Sequence, residues 1–275
     1  MPKTIAFMPL STYPEAVADA ALLNALHVGA AFGCGVQVTA YAADIPQLYS
    51  PMGDVAFDIS ALIEGAQKAS AQEARRLESL IKSAASAPNF TYRAHSGGMF
   101  QSIPQEARLY NLALLPWQKD AATLRDIAEA LIFGAGRPLV MVPEAAKAAA
   151  LTHLAVAWNG SAVAARALND ALPLLAKGGR VTVLTASGEA GETKADHLAD
   201  ALVSALKTRG FDASAQGVAT HGKTMGTVLQ DAAITAGAQL LAMGGYGHSR
   251  LRDFVLGGAT KGVLMQLNLP VLLSH

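Results

Sequence analysis

The run Met243-Gly-Gly-Tyr-Gly-His-Ser-Arg-Leu-Arg-Asp-Phe-Val-Leu-Gly-Gly-Ala-Thr260 sets Gly244, Gly247 and Gly257 around a basic loop between an apolar stretch and a helical one. Such a segment suits a phosphate. Glycines accept positive φ and let backbone N–H groups approach an anion, and a helix N-terminus adds unpaired donors and a favourable dipole. The same spacing also suits a plain turn that reverses the chain, and the pattern alone leaves both readings open.

A second string, Gly217-Val-Ala-Thr-His-Gly222-Lys223-Thr224, matches G-x-x-x-x-G-K-[ST] and stands between a strand and a helix, as a P-loop would. Against that reading, no later strand ends in an aspartate to hold magnesium: Leu240-Leu-Ala-Met243 runs into Gly244. At the edge of the sheet, Lys223 remains a candidate helper for a nearby anion. Dedicated catalysis has little support, because there is no His-Glu-x-x-His, no Gly-x-Ser-x-Gly elbow and no cluster of carboxylates. Slow ATP hydrolysis is the most that binding would bring, and the sequence assigns no base to it. His27, His153 and His197 read as structural or surface residues. The single cysteine, Cys34, excludes an internal disulfide, and no activating partner for its thiol is visible.

The elements that must position the glycine loop are legible as alternating strands and amphipathic helices. In the C-terminal half, strands are expected at residues 154–157, 181–186, 211–218, 239–243 and 271–274. Helices are expected at 161–177, 194–208 and 225–236, with a short one near 260–267; Leu198, Leu202 and Leu206 recur at helical spacing. Strands 4–8, 36–41, 90–94, 112–115 and 139–142 repeat that order in the N-terminal half, and Gly136-Arg-Pro-Leu-Val-Met-Val142 echoes Asn268-Leu-Pro-Val-Leu-Leu-Ser274. The chain thus reads as two tandem doubly wound α/β domains, 1–146 and 147–275, each a five-stranded parallel sheet with helices on both faces. A ligand in such a fold lies at the carboxyl ends of the strands, where the glycine loop begins. Residues 43–58, with Pro46, Pro51 and Gly53, read as a long loop, an insertion in preference to a lid.

Composition limits the partners. About half of the 275 residues are apolar (52%), only 15% are charged and the formal charge is zero, so no basic patch advertises nucleic acid. No apolar run reaches the length of a membrane span, and the N-terminus passes straight into a strand without a signal peptide, which makes a cytoplasmic location the expectation.

The duplicated order, the Gly-x-x-Gly-x(9)-Gly loop and the following Thr260 resemble the universal stress protein family in its tandem form. The resemblance covers nearly the whole chain and is specific in the second repeat. It implies stress-response or regulatory work, pairing of domains through their last strands (with the degenerate first repeat as a built-in partner, and a homodimer through the last strands left open), and ATP binding with Mg²⁺ in many, not all, members. A nucleotide-free interaction module of the same fold is the alternative. Carried over residue by residue, it implies phosphate contacts from Gly244, Gly247, Gly257, Gly258, Ala259 and Thr260. Asn159 then stands where nucleotide-binding members carry an aspartate facing base and ribose, and Gly160, Ala186 and Met243 complete the expected nucleotide-binding set. Two departures bear on affinity: Gly258 replaces a hydroxyl residue, and Asn159 removes a carboxylate while keeping an acceptor. Arg250, Arg252 and His248 supply compensating charge or a solvated loop face. In the first repeat, Pro116 replaces the first loop glycine and has no N–H to offer, and Met8-Pro-Leu10-Ser11 carries no acidic or amide residue, so at most one such site per chain is expected.

Overall fold

A computed structural model describes residues 4–42, 59–84, 89–96, 99–187, 194–220, 222–245 and 266–275. In the first half the elements run β1 (Thr4–Ser11), α1 (Asp19–Ala31), β2 (Cys34–Tyr41), α2 (Ile59–Ala84), β3 (Phe90–His95), α3 (Met99–Ala107), β4 (Leu112–Trp117), α4 (Ala122–Gly134) and β5 (Leu139–Pro143). The second half runs β6 (His153–Ala157), α5 (Ala162–Ala171), β7 (Arg180–Ser187), α6 (Lys194–Thr208), β8 (Asp212–Ala219), α7 (Met225–Thr235), β9 (Leu240–Gly244) and β10 (Val271–Ser274). A short 3-10 turn, Leu172–Leu174, closes α5. Of the helix expected near 260–267, only residues 266 and 267 are described, and they are irregular; the loop at 43–58 lies outside the described residues.

Each half is a five-stranded parallel sheet, and the two sheets are continuous. The order is β3-β2-β1-β4-β5-β10-β9-β6-β7-β8, and among the described residues the only antiparallel step is β5 against β10. Strands in the middle of such a sheet are covered on both faces, which is why β1, β4, β5, β9 and β10 are near-continuous apolar runs rather than alternating ones. Right-handed crossovers carry α1 and α2 over one face and α3 and α4 over the other; α1 touches α2, and α3 packs closely on α4.

The junction corrects one expectation. Val271, Leu272 and Leu273 pair with Met141, Val140 and Leu139, and all six side chains are buried. β5 is bonded on its other edge to β4, and β10 to β9. Neither last strand has a free edge, so the homodimer through the last strands is replaced by pairing of the two repeats within one chain.

Two buried titratable groups fall away from the carboxyl edge of the sheet. Cys34 starts β2, is 2% exposed, and burial pushes its thiol up to about 12, so the thiolate needed for redox chemistry is scarce near neutral pH. His153 starts β6, and its Nε2 lies 2.8 Å from Thr182 Oγ1. Burial, reinforced by the Arg180 charge, holds its pKa below the ordinary value, while Asp212 and a backbone hydrogen bond at Gly237 pull weakly the other way. Because the unfolded chain takes up a proton here that the folded chain refuses, this residue makes stability fall as pH drops below about 6.5. Thermal melts at pH 7.5 and pH 5 should therefore show the wild type losing more stability than His153→Gln. Equal losses would remove His153 from the acid response.

Candidate functional site

Strand register defines the crevice. Strand order reverses between β6 and β9, since β6 continues to β7 on one side while β9 continues to β10 on the other. In open α/β sheets such a switch point opens a cleft at the carboxyl ends of the strands. Ala157 pairs with Leu184, and Trp158 N donates to Leu184 O at 2.8 Å, which carries the chain one step past β6 to Asn159 and Gly160. Ala186 lies two residues beyond Leu184 on β7, paired with Val218 of β8. Met243 and Gly244 end β9, and Gly245 N donates to Ser274 O at 2.7 Å. Asn159, Gly160, Ala186, Met243 and Gly244 thus share one edge of the sheet. Gly247, Gly257, Gly258, Ala259 and Thr260, with His248, Arg250 and Arg252, lie outside the described residues.

Local chemistry explains how the rim is shaped. Gly160 has φ +74°, a conformation that L side chains rarely adopt, and it turns the chain from β6 into α5. Asn159 Oδ1 accepts from Ser161 N at 3.1 Å, and Ser161 caps α5 by accepting from Ala164 N at 3.3 Å. The side-chain oxygen of Asn159 therefore already serves the turn. Its amide NH₂ remains a donor facing solvent from an exposed residue, a property that an aspartate would not have.

Gly244 has a packing reason as well as a chemical one. A Cβ at this position would lie 2.7 Å from Val163 Cγ2, 2.9 Å from Ala164 N and 2.9 Å from Val163 C, so only glycine lets the first turn of α5 settle against the end of β9. The helix N-terminus and the start of the glycine loop are thereby brought together, the arrangement that favours an anion at a strand-to-helix crevice.

The first repeat shows the same crevice in closed form. Ala6 pairs with Leu112, as Leu154 pairs with Leu240. Counting along each strand makes Ser11 the counterpart of Asn159 and Pro116 the counterpart of Gly244. Ser11 Oγ accepts from Tyr13 N at 3.2 Å, an equivalent of the Asn159 turn made by a shorter side chain. Side chains from beyond this turn fill the cleft. Thr123 N, in the first turn of α4, donates to Glu15 Oε2 at 3.3 Å, and Ala18 N donates to Gln118 Oε1 at 3.1 Å. The chain's own carboxylate thus takes the helix N-terminus, where an anion would otherwise be favoured. The cavity left between Ser11, Glu15, Val17, Gln118 and Thr123 is about 10 Å³, the room of one water. The Glu15 and Gln118 contacts span about a hundred residues, and no sequence pattern announces them.

The P-loop string folds as a helix cap. Thr224 accepts from Thr227 N and begins α7, and Lys223 Nζ pairs with Asp231 Oδ2 at 3.0 Å, both side chains well exposed. The preceding strand, β8, is the outermost of the sheet and is separated from β6 by β7. Trp158, between β6 and Asn159, carries the one buried side-chain polar atom without a hydrogen-bond partner among the described residues, its Nε1.

Similarity to known proteins runs along the same division. Residues 150–275 match the model of the "Universal stress protein family". A universal stress protein from Archaeoglobus fulgidus DSM 4304, 14% identical, aligns over 98% of this chain and 95% of its own with a TM-score of 0.70, which shows the same fold across both repeats. A putative universal stress protein from Pseudomonas aeruginosa UCBPP-PA14, 13% identical, aligns over 99% of this chain and 94% of its own with a TM-score of 0.49. A universal stress protein solved in complex with cAMP, 21% identical, aligns over 46% of this chain and 99% of its own with a TM-score of 0.35. No curated protein matches the chain. The family model thus matches the second repeat, and the Archaeoglobus fulgidus structure shares its fold across both repeats.

Proposed function

We propose that the second repeat binds one adenine nucleotide, ATP with Mg²⁺, and that the protein acts as a nucleotide-responsive stress or regulatory factor with two domains divided at residues 146 and 147. The observation that carries this reading is the β6/β9 crevice. One rim is formed by Asn159 and Gly160, the other by Gly244 and Gly245, and the glycine loop leaves directly from the second rim. In this reading the loop amides hold the phosphates and Asn159 meets the base and ribose. Among the described residues no group of three or more His, Cys, Asp or Glu gathers to hold a metal, so Mg²⁺ arrives on the phosphates. No helix of the described residues is long and apolar enough to cross a membrane, and a cytoplasmic setting belongs to the same reading.

The first test is chemical. Denaturing fresh protein and identifying the released nucleotide by chromatography and mass spectrometry should give about one equivalent per chain, and calorimetry with ATP and magnesium should give one site. Asn159→Asp restores the carboxylate and should tighten ATP roughly ten-fold. No released nucleotide, no heat at millimolar ATP and no gain in Asn159→Asp would leave a nucleotide-free interaction module. One observation favours that second reading: Gly244 and the Asn159 oxygen both have structural work that needs no ligand.

A further inference from the structure

We infer that the indole N–H of Trp158 is a ligand-reading donor that hydrogen-bonds an acceptor atom on the nucleoside part of the nucleotide. The inference rests on the adenine-nucleotide reading above and adds to it a residue whose role neither the glycine loop nor Asn159 covers.

Three observations converge. First, Trp158 Nε1 is buried and has no partner, in a protein whose other buried side-chain polar atoms are satisfied among the described residues. A buried donor left unpaired is costly enough that native structures rarely keep one without a use. Second, the donor sits at the switch point. Val156 is level with Ala242, so continuing that register brings Trp158 level with Gly244 on the neighbouring strand, and alternation puts both on the face where α5 packs. Third, the strand does not bend away before Trp158, because its backbone N still donates to Leu184 O of β7. The residue immediately after it is Asn159, at the rim. Trp158 is half-buried and packs on the core, which holds its ring. An indole offers a donor and no acceptor, which matches the ring nitrogens and hydroxyl oxygens of a nucleoside.

The chain has two tryptophans, and the other, Trp117, ends β4 at the counterpart position of Gly245 in the closed first repeat. This makes a direct test feasible on the full chain. In ¹⁵N-labelled protein the two indole N–H resonances are assigned by the peak lost in Trp158→Phe, then followed during titration with ATP and magnesium. The expected result is a downfield shift of the Trp158 resonance with slowed solvent exchange, an unmoved Trp117 resonance, and ATP affinity about five-fold weaker in Trp158→Phe, which keeps a ring but has no donor. Wild-type protein that binds ATP with its Trp158 resonance unmoved overturns the inference and leaves the nucleotide reading standing, as does equal affinity in a folded Trp158→Phe. Inorganic tripolyphosphate that shifts the resonance as far as ATP does also overturns it, by moving the acceptor to the phosphates. Failure of wild-type protein to bind ATP at all defeats both readings together. If Trp158→Phe does not fold, the peak that remains in Trp117→Phe identifies the Trp158 resonance, and its response in the wild type decides.

Discussion

Leu272→Asp is expected to unfold the whole protein rather than its second half. Leu272 is fully buried and lies opposite Val140 at the antiparallel junction, with β9 on its other side, in the middle of a ten-stranded sheet. A carboxylate there has no partner in the surrounding apolar residues, and it removes a fully packed leucine. The desolvation and the lost packing together should cost at least about 4 kcal/mol, a large share of a typical domain's stability. Because β10 is bonded to β5 as well as to β9, the loss reaches the first repeat directly. Chemical denaturation followed by circular dichroism should show one cooperative transition in the wild type and a collapsed midpoint in the variant. Leu62→Asp, at a position 67% exposed on α2, should change stability by no more than about 0.5 kcal/mol. Two separate wild-type transitions would show that the halves fold independently and that the continuous sheet is not the stabilising unit.

The second large effect is expected at Gly244. Gly244→Ala adds a single methyl group, yet two of its three close neighbours, at 2.9 Å, are backbone atoms of α5 that cannot rotate aside. The helix must lift from the sheet. Overpacking of this kind costs about 1 to 3 kcal/mol, and the shift moves the Ser161 cap and the Asn159 turn with it. Stability should fall by that amount, and ATP affinity by more than ten-fold, since both rims of the crevice are displaced together. Gly65→Ala is the matching control: nothing lies within 4 Å of a Cβ there, it sits inside α2, and the exchange should leave stability equal or raised by up to about 1 kcal/mol. Calorimetry and thermal melts on the two variants give the comparison. An unchanged melting temperature in Gly244→Ala would mean that α5 has freedom the close contacts deny it. Lost stability with intact ATP binding would mean that the crevice does not hold the nucleotide.

Much of this molecule was legible in the sequence because its signals are local. Unbroken apolar runs such as Leu112–Leu115 and Leu240–Met243 mark strands buried on both faces, and the Leu198, Leu202, Leu206 spacing marks a helix; the structure puts elements at those places with ends moved by a few residues. Alternation of strand and helix fixes parallel pairing, and the handedness of crossovers fixes the face each helix covers once the strand order is set. Pro116 shows by its own chemistry that one loop amide is missing, with no need of coordinates.

Other features depend on atoms far apart in the chain. The last strands of the two repeats are matched apolar segments, and nothing local says whether each meets its like in another molecule or its counterpart in the same one; tertiary structure pairs Val140 with Leu272 inside the chain. The glycine pattern records a need for small residues but not the cause, and at Gly244 the cause includes the backbone of α5, some eighty residues earlier. Glu15 reads as an ordinary surface acid until Thr123 N is found beside it, and the Asp231 partner of Lys223 is likewise visible only in the fold. Trp158 is silent in the sequence, since an indole donor announces nothing until the fold shows that it is buried and unpaired. The sequence by itself determined the elements and their repeat, because periodicity and backbone chemistry act over a few residues. Only the tertiary structure decided which edges are consumed, which crevice is filled and which donor is left waiting, because those depend on what the chain brings together across a hundred residues.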